Sequence, residues 1–362
     1  MRILWISPFG RGWSLAHKLR ESGNKVVLYD MAKTQNGLGY LPTITEAEWL
    51  SYAKRSDLIV VDDTPESRRT RRSYAPSALV LNLRTLHHEG KRVIGPVPTT
   101  ELFHNDLRYQ RKLMKRHGLT TAGGTNNPGL TLTVSRDPDG NTFLIVRHRT
   151  LLGEGNGPDI GNLGDIVVPL ARSEPLIANT IGKLEEFLQT VGHTGYINLT
   201  VSVMETHLDV AQVETGFLYP AAFVQFTNLL LQRSIGNGGV MPGAAVTVLD
   251  LETDRQHRRR IHHAFDYGGV FGGELHREPE EGSAVAHGRF VCAVAGTGHD
   301  WRVLEHDVNR KLAKLVGDNP GLGYRVGVGS NIGHTINLLQ SWGWLNRRDA
   351  TQQKFPKFRV AG

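Results

Sequence analysis

The chain opens on a regular exchange between apolar runs and amphipathic stretches. RILWIS is a short apolar run, which predicts a buried strand. GWSLAHKLRESG spaces its apolar positions for one helix face and closes at Gly23. KVVLYD predicts a second strand, and TEAEWLSYAKRS a second helix. DLIVVDD, SALVLNL and KRVIGP predict further strands. Strands alternating with helices call for a parallel sheet.

Beyond residue 97 the pattern changes. TTELFHNDLRYQRKLMKRHG predicts one basic helix ending at Gly118, followed by extended chain. LTLTVSRDPDGNTFLIVRHR predicts a β-hairpin turned at Pro138-Asp139-Gly140. GEGNGPDIGNLGD predicts a glycine-rich loop and SEPLIANTIGKLEEFLQTVG a helix. GYINLTVSVMETHLDVAQVET predicts a second hairpin, and PAAFVQFTNLLLQRSIG another helix. From MPGAAVTVLDL onward the pattern is mostly strands and turns, broken by the helix DWRVLEHDVNRKLAKLVG. No internal repeat is visible. The expected class is α/β: a Rossmann-like parallel-sheet domain over 1–100, an α+β domain over 101–240, a β-rich domain over 241–345, and a basic tail over 346–362.

Composition narrows the class. Of 362 residues, 39% are hydrophobic and 21% charged, as in an ordinary globular protein. No apolar run approaches the ~18 residues of a membrane helix. The first residues form a strand rather than a signal peptide. The single cysteine, Cys292, excludes an internal disulfide framework and points to a reducing, cytoplasmic setting. It sits in RFVCAVAG and is expected to be a buried strand residue, not a nucleophile.

The net charge of +7 attracts phosphates. Two clusters carry much of it, ESRRTRRS and RQHRRRIHH. Arg68, Arg69, Arg71, Arg72, Arg258, Arg259 and Arg260 are therefore candidates for nucleic-acid contact. The alternative is a solvated surface with surplus arginine.

The turn after the first strand, Gly10-Arg11-Gly12-Trp13-Ser14-Leu15, is a GxGxxG lacking its third glycine. Helix N-terminal amides favour an anion there, and Arg11 suits a phosphate. Asp30 ends the second strand at the spacing of a dinucleotide-binding acid. An NAD-dependent oxidoreductase is thus one reading, although no dyad for hydride chemistry accompanies it. The other is a tight strand–helix turn that needs small residues.

SPFGRGWSLAHKL also resembles the opening of the glycinamide ribonucleotide synthetase family, GNGGREHALAWKL. Gly10, Arg11, Leu15, Ala16, Lys18 and Leu19 fit, while Gly12 and Trp13 replace an acid and a histidine. KRVIGPVPTTELFHNDLRYQRKLMKRHGLTTA is similar to the family's GPS…AxLExSKxFxKxFMxRxGIPTA. VRHRTLLGEGNGPDIGNLGD resembles its DHKRxxDGDxGPNTGGMGA, with Asp159 in place of Asn and Asn162 in place of Gly. HTGYINLTVSVMETHLDVAQVETG, AHGRFVCAVAGTG and YRVGVGSNIG resemble later family segments in the same order. The matches span most of residues 1–333.

The resemblance implies an ATP-grasp protein: a pre-ATP-grasp N-terminal domain, a domain that clamps ATP and Mg²⁺, and a β-rich C-terminal domain. It implies that the phosphate at Arg11 belongs to a substrate such as a phosphoribosyl group. Two departures stand out. TTAGGTNNPG runs almost directly into LTLTVSRDPDG, where the family has a lysine strand and an acidic hinge. A deletion on the order of 70 residues would account for that, far beyond loop variation. At the metal end Glu214 keeps the family's carboxylate, but Gly216 stands for its asparagine and Leu218 for its arginine, a poor Mg²⁺ site.

The expectation is an enzyme joining a small, glycine-like amino acid to a phosphorylated nucleotide or nucleoside, without ATP of its own, the acceptor extending to a base in DNA. The alternatives are an ATP- and Mg²⁺-dependent ligase and a non-catalytic nucleotide- or nucleic-acid-binding paralogue. No cofactor is certain, no resident metal is expected, and no membrane partner. Candidate groups are His148 as general base and Glu214, with anion contacts from Gly10, Arg11, Gly12, Arg149, Asp159 and Arg289. Gly157, Gly161 and Gly164 would offer backbone amides. The histidine pairs His87-His88 and His262-His263 are less persuasive. No zinc spacing or GxSxG motif is present.

Overall fold

A computed structural model describes residues 1–69, 74–121, 129–151, 159–217, 242–251, 259–262, 270–278, 283–287, 290–298, 301–324 and 332–346. The contacts divide the chain into two units. The first is Met1–Phe143, Ala171–Ser173 and Ile177–Leu218; the second is Leu144–Leu170, Glu174–Leu176 and Tyr219–Gly362.

The first unit is built on β1 (Arg2–Ser7), β2 (Lys25–Asp30), β3 (Leu58–Val61) and a short β6 (Val93–Ile94). All pair in parallel, in the order β2-β1-β3-β6. Helix α1 (Trp13–Glu21) joins β1 to β2, and α2 (Trp49–Arg55) precedes β3. Both faces of β1 are buried: Ile3 and Trp5 on one, Leu4 and Ile6 on the other. That explains why its sequence reads as a continuous apolar run. Each such side chain contributes roughly 1.5–3 kcal/mol by leaving water.

SALVLNL is not a strand. It opens α3 (Ala78–His88), whose buried Leu79, Val80, Leu83 and Leu86 recur at helical spacing. The Ser77 hydroxyl accepts from the Val80 amide at 3.3 Å, a cap that a strand reading overlooks. The single basic helix is two, α4 (Pro98–Asn105) and α5 (Leu107–Arg116). Asp106 breaks it with an extended backbone, and its carboxylate accepts from the amides of Arg108 and Tyr109. A short ribbon pairs β4 (Arg68–Arg69) with β5 (Tyr74–Ala75).

The same unit holds β7 (Leu130–Arg136) and the predicted hairpin β10 (Ile197–Val203) with β11 (Leu208–Thr215). They run antiparallel in the order β11-β10-β7. The turn after β7 forms where predicted. Gly140 has φ +84°, and the Asp137 carboxylate accepts from the amides of Asp139 and Asn141.

The second unit contains β8 (Thr142–Leu151, its first two residues in the first unit), β9 (Asp159–Leu170), β12 (Gly243–Asp250), β17 (Phe290–Thr297) and β14 (Val270–Gly272). They are ordered β8-β9-β12-β17-β14, with β18 (Leu322–Tyr324) on β12. A smaller sheet joins β13 (Arg259–Ile261), β16 (Ala284–Ala286) and β15 (Leu275–Arg277). The predicted helix Trp301–Asp318 forms and buries Leu304, Val308, Leu312 and Leu315. An unpredicted helix spans Ile332–Ser341. The helix expected after Pro220 and the tail from Arg347 lie outside the described residues.

Candidate functional site at the switch point of the parallel sheet

The chain leaves β1 for β2 on one side and returns to β3 on the other. Between the carboxyl ends of β1 and β3 the strand order reverses. Ligands of open α/β sheets bind outside the strand ends at such a point. Two segments meet there: Pro8–Gly12 after β1 and Asp62–Thr64 after β3.

The turn is tightly made. Gly10 has φ +68°, and a Cβ there would collide with the Thr34 side chain. The Gly12 amide donates to Asp62 Oδ2 at 2.8 Å, an oxygen that also accepts from the Trp5 indole at 3.0 Å. Asp62 therefore acts as a built-in anion at the start of α1, where the helix dipole favours negative charge. This changes the reading of Gly12: its amide is occupied by protein, and its lack of a side chain makes room for Asp62. Trp13 is buried and stacks on Tyr40, 5.2 Å between ring centroids. The Ser14 hydroxyl, buried on the first turn of α1, has no hydrogen-bond partner among the described residues.

Arg11 points outward, 68% exposed, and pairs with Asp63 at 3.6 Å, whose side chain is 7% exposed. The Arg11 guanidinium also lies 5.5 Å from the Phe9 ring centroid. Asp63 Oδ1 accepts from the Thr64 amide at 2.7 Å. Burial, and then the neighbouring Asp62, pushes the Asp63 carboxyl up to about 7, with Glu214 adding to the rise and Arg11 opposing it. Burial raises Asp62 to about 6 against its donors Trp5 and Gly12. A buried carboxyl poised near neutrality beside an exposed arginine suits proton transfer next to a bound anion.

The end of β11 completes the wall. The Phe217 amide donates to the Asp62 carbonyl at 2.7 Å, and Gly216 bridges Asp63. Gly216 has φ +119°, and a Cβ would lie 2.7 Å from the Asp62 carbonyl oxygen. Close approach of two backbones thus accounts for a glycine where the resemblance has asparagine. Glu214 is half-buried two residues earlier and accepts from Gln212 at 3.1 Å. The Thr215 amide donates to His104 Nδ1 at 3.1 Å, and burial lowers the His104 pKa. The Thr64 and Thr215 hydroxyls are hydrogen-bonded to each other.

The structure thus brings Gly10, Arg11, Gly12 and Glu214 together around two acids that the sequence reading passed over, Asp62 and Asp63. The available signal was the DD pair ending the apolar run LIVV in an alternating chain. Asp30 is used locally: its carboxylate accepts from Ala32, from the Thr34 amide and from the Thr34 hydroxyl. That leaves little for a dinucleotide ribose.

His148 and Arg149 fall in β8 and Asp159 in β9, in the second unit, with side chains outside the described residues. Gly157, Arg289, Arg71, Arg72 and Arg258 lie outside them altogether, as do the side chains of Arg68 and Arg69. The expected glycine-rich loop is in its second half a strand. Gly161 and Gly164 belong to β9, and Gly164 pairs with Val246. Successive strand amides point to opposite sides, so these two do not converge as a nest. Arg259 is held by the buried Asp250 at 2.9 Å and by the Pro320 carbonyl, and Arg260 lies 3.5 Å from Glu278. Cys292 is fully buried, and burial pushes its thiol up to about 12. Among the described residues, no group of three or more His, Cys, Asp or Glu is placed to hold a metal ion.

A parallel sheet with a site at its switch point, together with large antiparallel elements, gives the chain a mixed α/β fold. Solved structures with this fold include phosphoribosylamine–glycine ligase from Thermotoga maritima, at TM-score 0.62 and 13% identity over 90% of this chain and 98% of that one. N5-carboxyaminoimidazole ribonucleotide synthetase from Thermus thermophilus matches at TM-score 0.53 and 13% identity, over 88% and 99%. N5-carboxyaminoimidazole synthetase from Staphylococcus aureus matches at TM-score 0.50 and 13% identity, over 88% and 96%. At such identities the likeness is one of fold. No family model and no curated protein matches the chain. The span of 98% of the Thermotoga chain argues against the loss of a whole subdomain expected from the sequence. No helix among the described residues is long and apolar enough to cross a membrane.

Proposed function

We propose that this chain is a ligase-type enzyme that joins a small amino acid to a phosphorylated ribosyl or nucleoside acceptor. In this reading Arg11 holds the acceptor phosphate and Asp63 takes the proton from the attacking amine. The observation that carries the reading is the pairing of an exposed Arg11 with a buried Asp63 at the switch point. The fold supports it, since the similar structures are named for a phosphoribosylamine and a ribonucleotide.

Phosphate arriving at Arg11 competes with Asp63 for the guanidinium. It also adds negative charge beside a carboxyl that already sits near neutrality. Binding then raises the proton affinity of Asp63, and when the amine is present the amine is the source of the proton that Asp63 takes up. Glu214 faces the same end and is assigned to orient the amine.

Ribose 5-phosphate titrated into the protein tests the anchor. Arg11→Ala should weaken its binding by roughly ten- to hundredfold, the loss of a charge-assisted contact. Unchanged affinity would return the turn to pure architecture. Product formation from glycine and a phosphorylated nucleoside, with and without Mg-ATP, distinguishes ATP-driven activation from a leaving group carried by the acceptor. A DNA acceptor would add salt-dependent DNA affinity.

A further inference from the structure

The loop that follows β2 lies beside the turn that follows β1. Ser7 and Asp30 end the two strands in register, so both loops leave the sheet at one level, about 4.8 Å apart. They are also tied together. Asn36 Nδ2 donates to the Gly10 carbonyl at 2.9 Å, and the Thr34 side chain fills the space that a Cβ on Gly10 would need. A ligand anchored at Arg11 therefore has the β2 loop as its neighbour on the side away from β3.

That loop and the segment leading to α2 line a cavity of about 510 Å³, within the range of small-molecule sites. Its apolar lining reaches solvent instead of being packed away. Leu38 is 45% exposed, Ala47 is exposed, and Met31 and Ile44 are half-buried. Uncommitted polar groups stand around this surface. Among the described residues, the Gln35 carboxamide and the Thr43 hydroxyl have no partner. Lys33 (φ +54°) and Gln35 (φ +66°) hold left-handed backbone without being glycine, and such conformations gather at ligand sites. Lys33 is the one cation of the lining, against the carboxylates of Asp30 and Glu46. That balance does not attract a second phosphate, so the cavity suits a neutral group.

We propose that this cavity holds the base of a nucleoside monophosphate whose phosphate sits on Arg11, which makes the acceptor a nucleotide and not a bare ribose phosphate. The inference rests on the reading of Arg11 as the phosphate anchor. A flat, neutral ring with polar edges matches apolar walls rimmed by an amide and a hydroxyl. Gln35 and Thr43 can each donate to and accept from a base edge, while Leu38 and Ile44 cover its face. The ribose spans the single strand spacing between the two loops.

Calorimetric titration of the full chain with ribose 5-phosphate, and with adenosine, guanosine, cytidine and uridine monophosphates, tests this. At least one nucleotide should bind about tenfold or more tightly than the sugar phosphate. Leu38→Ser opens the wall and Ala47→Phe fills the space. Each should remove most of that advantage and leave both the ribose 5-phosphate affinity and the melting temperature unchanged, since both side chains are exposed. Ribose 5-phosphate binding with no nucleotide binding more tightly, or an advantage that survives both substitutions, overturns the proposal and leaves the Arg11 anchor standing. Failure of Arg11→Ala to weaken either class of ligand overturns the anchor, and this inference with it.

Discussion

At the scale of single residues, the chemistry concentrates on Asp63. Its carboxyl is shielded from water and crowded by Asp62, and only Arg11 and the Thr64 amide favour the charged form. A carboxyl raised from 3.8 to about 7 binds more protons in the folded state than in the unfolded chain between those values. Folding stability from this group therefore falls as pH rises from about 4 to 7. Asp63→Asn keeps the acceptor for Thr64 and removes the charge. At pH 8 it should raise the melting temperature by roughly 2–4 °C, the size of ~2 kcal/mol in a chain of 362 residues. Near pH 4 the gain should vanish. An equal effect at both pH values would show that Asp63 is not held near neutrality. His193 acts with the opposite sign. Buried and hydrogen-bonded to Thr100, it is lowered to about 4, so its contribution is complete above pH 6.5 and is lost as the pH falls through 4.

Gly216 is the second residue whose identity the geometry demands. Its φ of +119° and the Asp62 carbonyl next to it leave no room for a side chain. Gly216→Ala should destabilise the protein by more than about 1 kcal/mol, measured by denaturant unfolding. A neutral effect would mean that β11 and β3 do not approach as described.

At the scale of elements, the alternation of strands and helices was legible because each strand is buried on both faces and each helix on one. RILWIS, KVVLYD and LIVV could hardly be anything else in a chain with helical stretches between them. SALVLNL misled because seven apolar-rich residues fit either period, and only the Ser77 cap and the continuation through Leu86 decide for helix. Ser77→Ala should cost about 1 kcal/mol of stability, and no change in an unfolding titration would contradict the cap. The basic stretch predicts one helix because its apolar face nearly continues across Asp106; the break lies in one side chain capturing two amides. The glycine-rich stretch failed for another reason. Glycines suggest a loop, yet Gly164 is in register with Val246 on β12, and pairing outweighs local preference.

At the scale of the whole molecule, the resemblance carried the fold class further than periodicity did. It ordered the segments and named an architecture shared by structures only 13% identical to this chain. It could not reveal Asp62 and Asp63, because they lie outside the motifs that carry it. Those acids become visible only when β3 is seen beside β1. It also suggested a missing subdomain, since a short stretch of sequence replaced a longer one; the span of the structural match argues otherwise. The arginine clusters show the same limit. Sequence counts charge but not pairing, and Arg259 is committed to the buried Asp250.

The central claim is that Arg11 and Asp63 form one device, an anion anchor coupled to a proton acceptor. Calorimetric titration of ribose 5-phosphate at pH 7, repeated in two buffers of different ionisation enthalpy, measures affinity and proton uptake together. The account predicts uptake of a fraction of a proton per phosphate bound, abolished by Asp63→Asn, with affinity falling sharply in Arg11→Ala. Binding with no proton exchange, or binding indifferent to both substitutions, would contradict it.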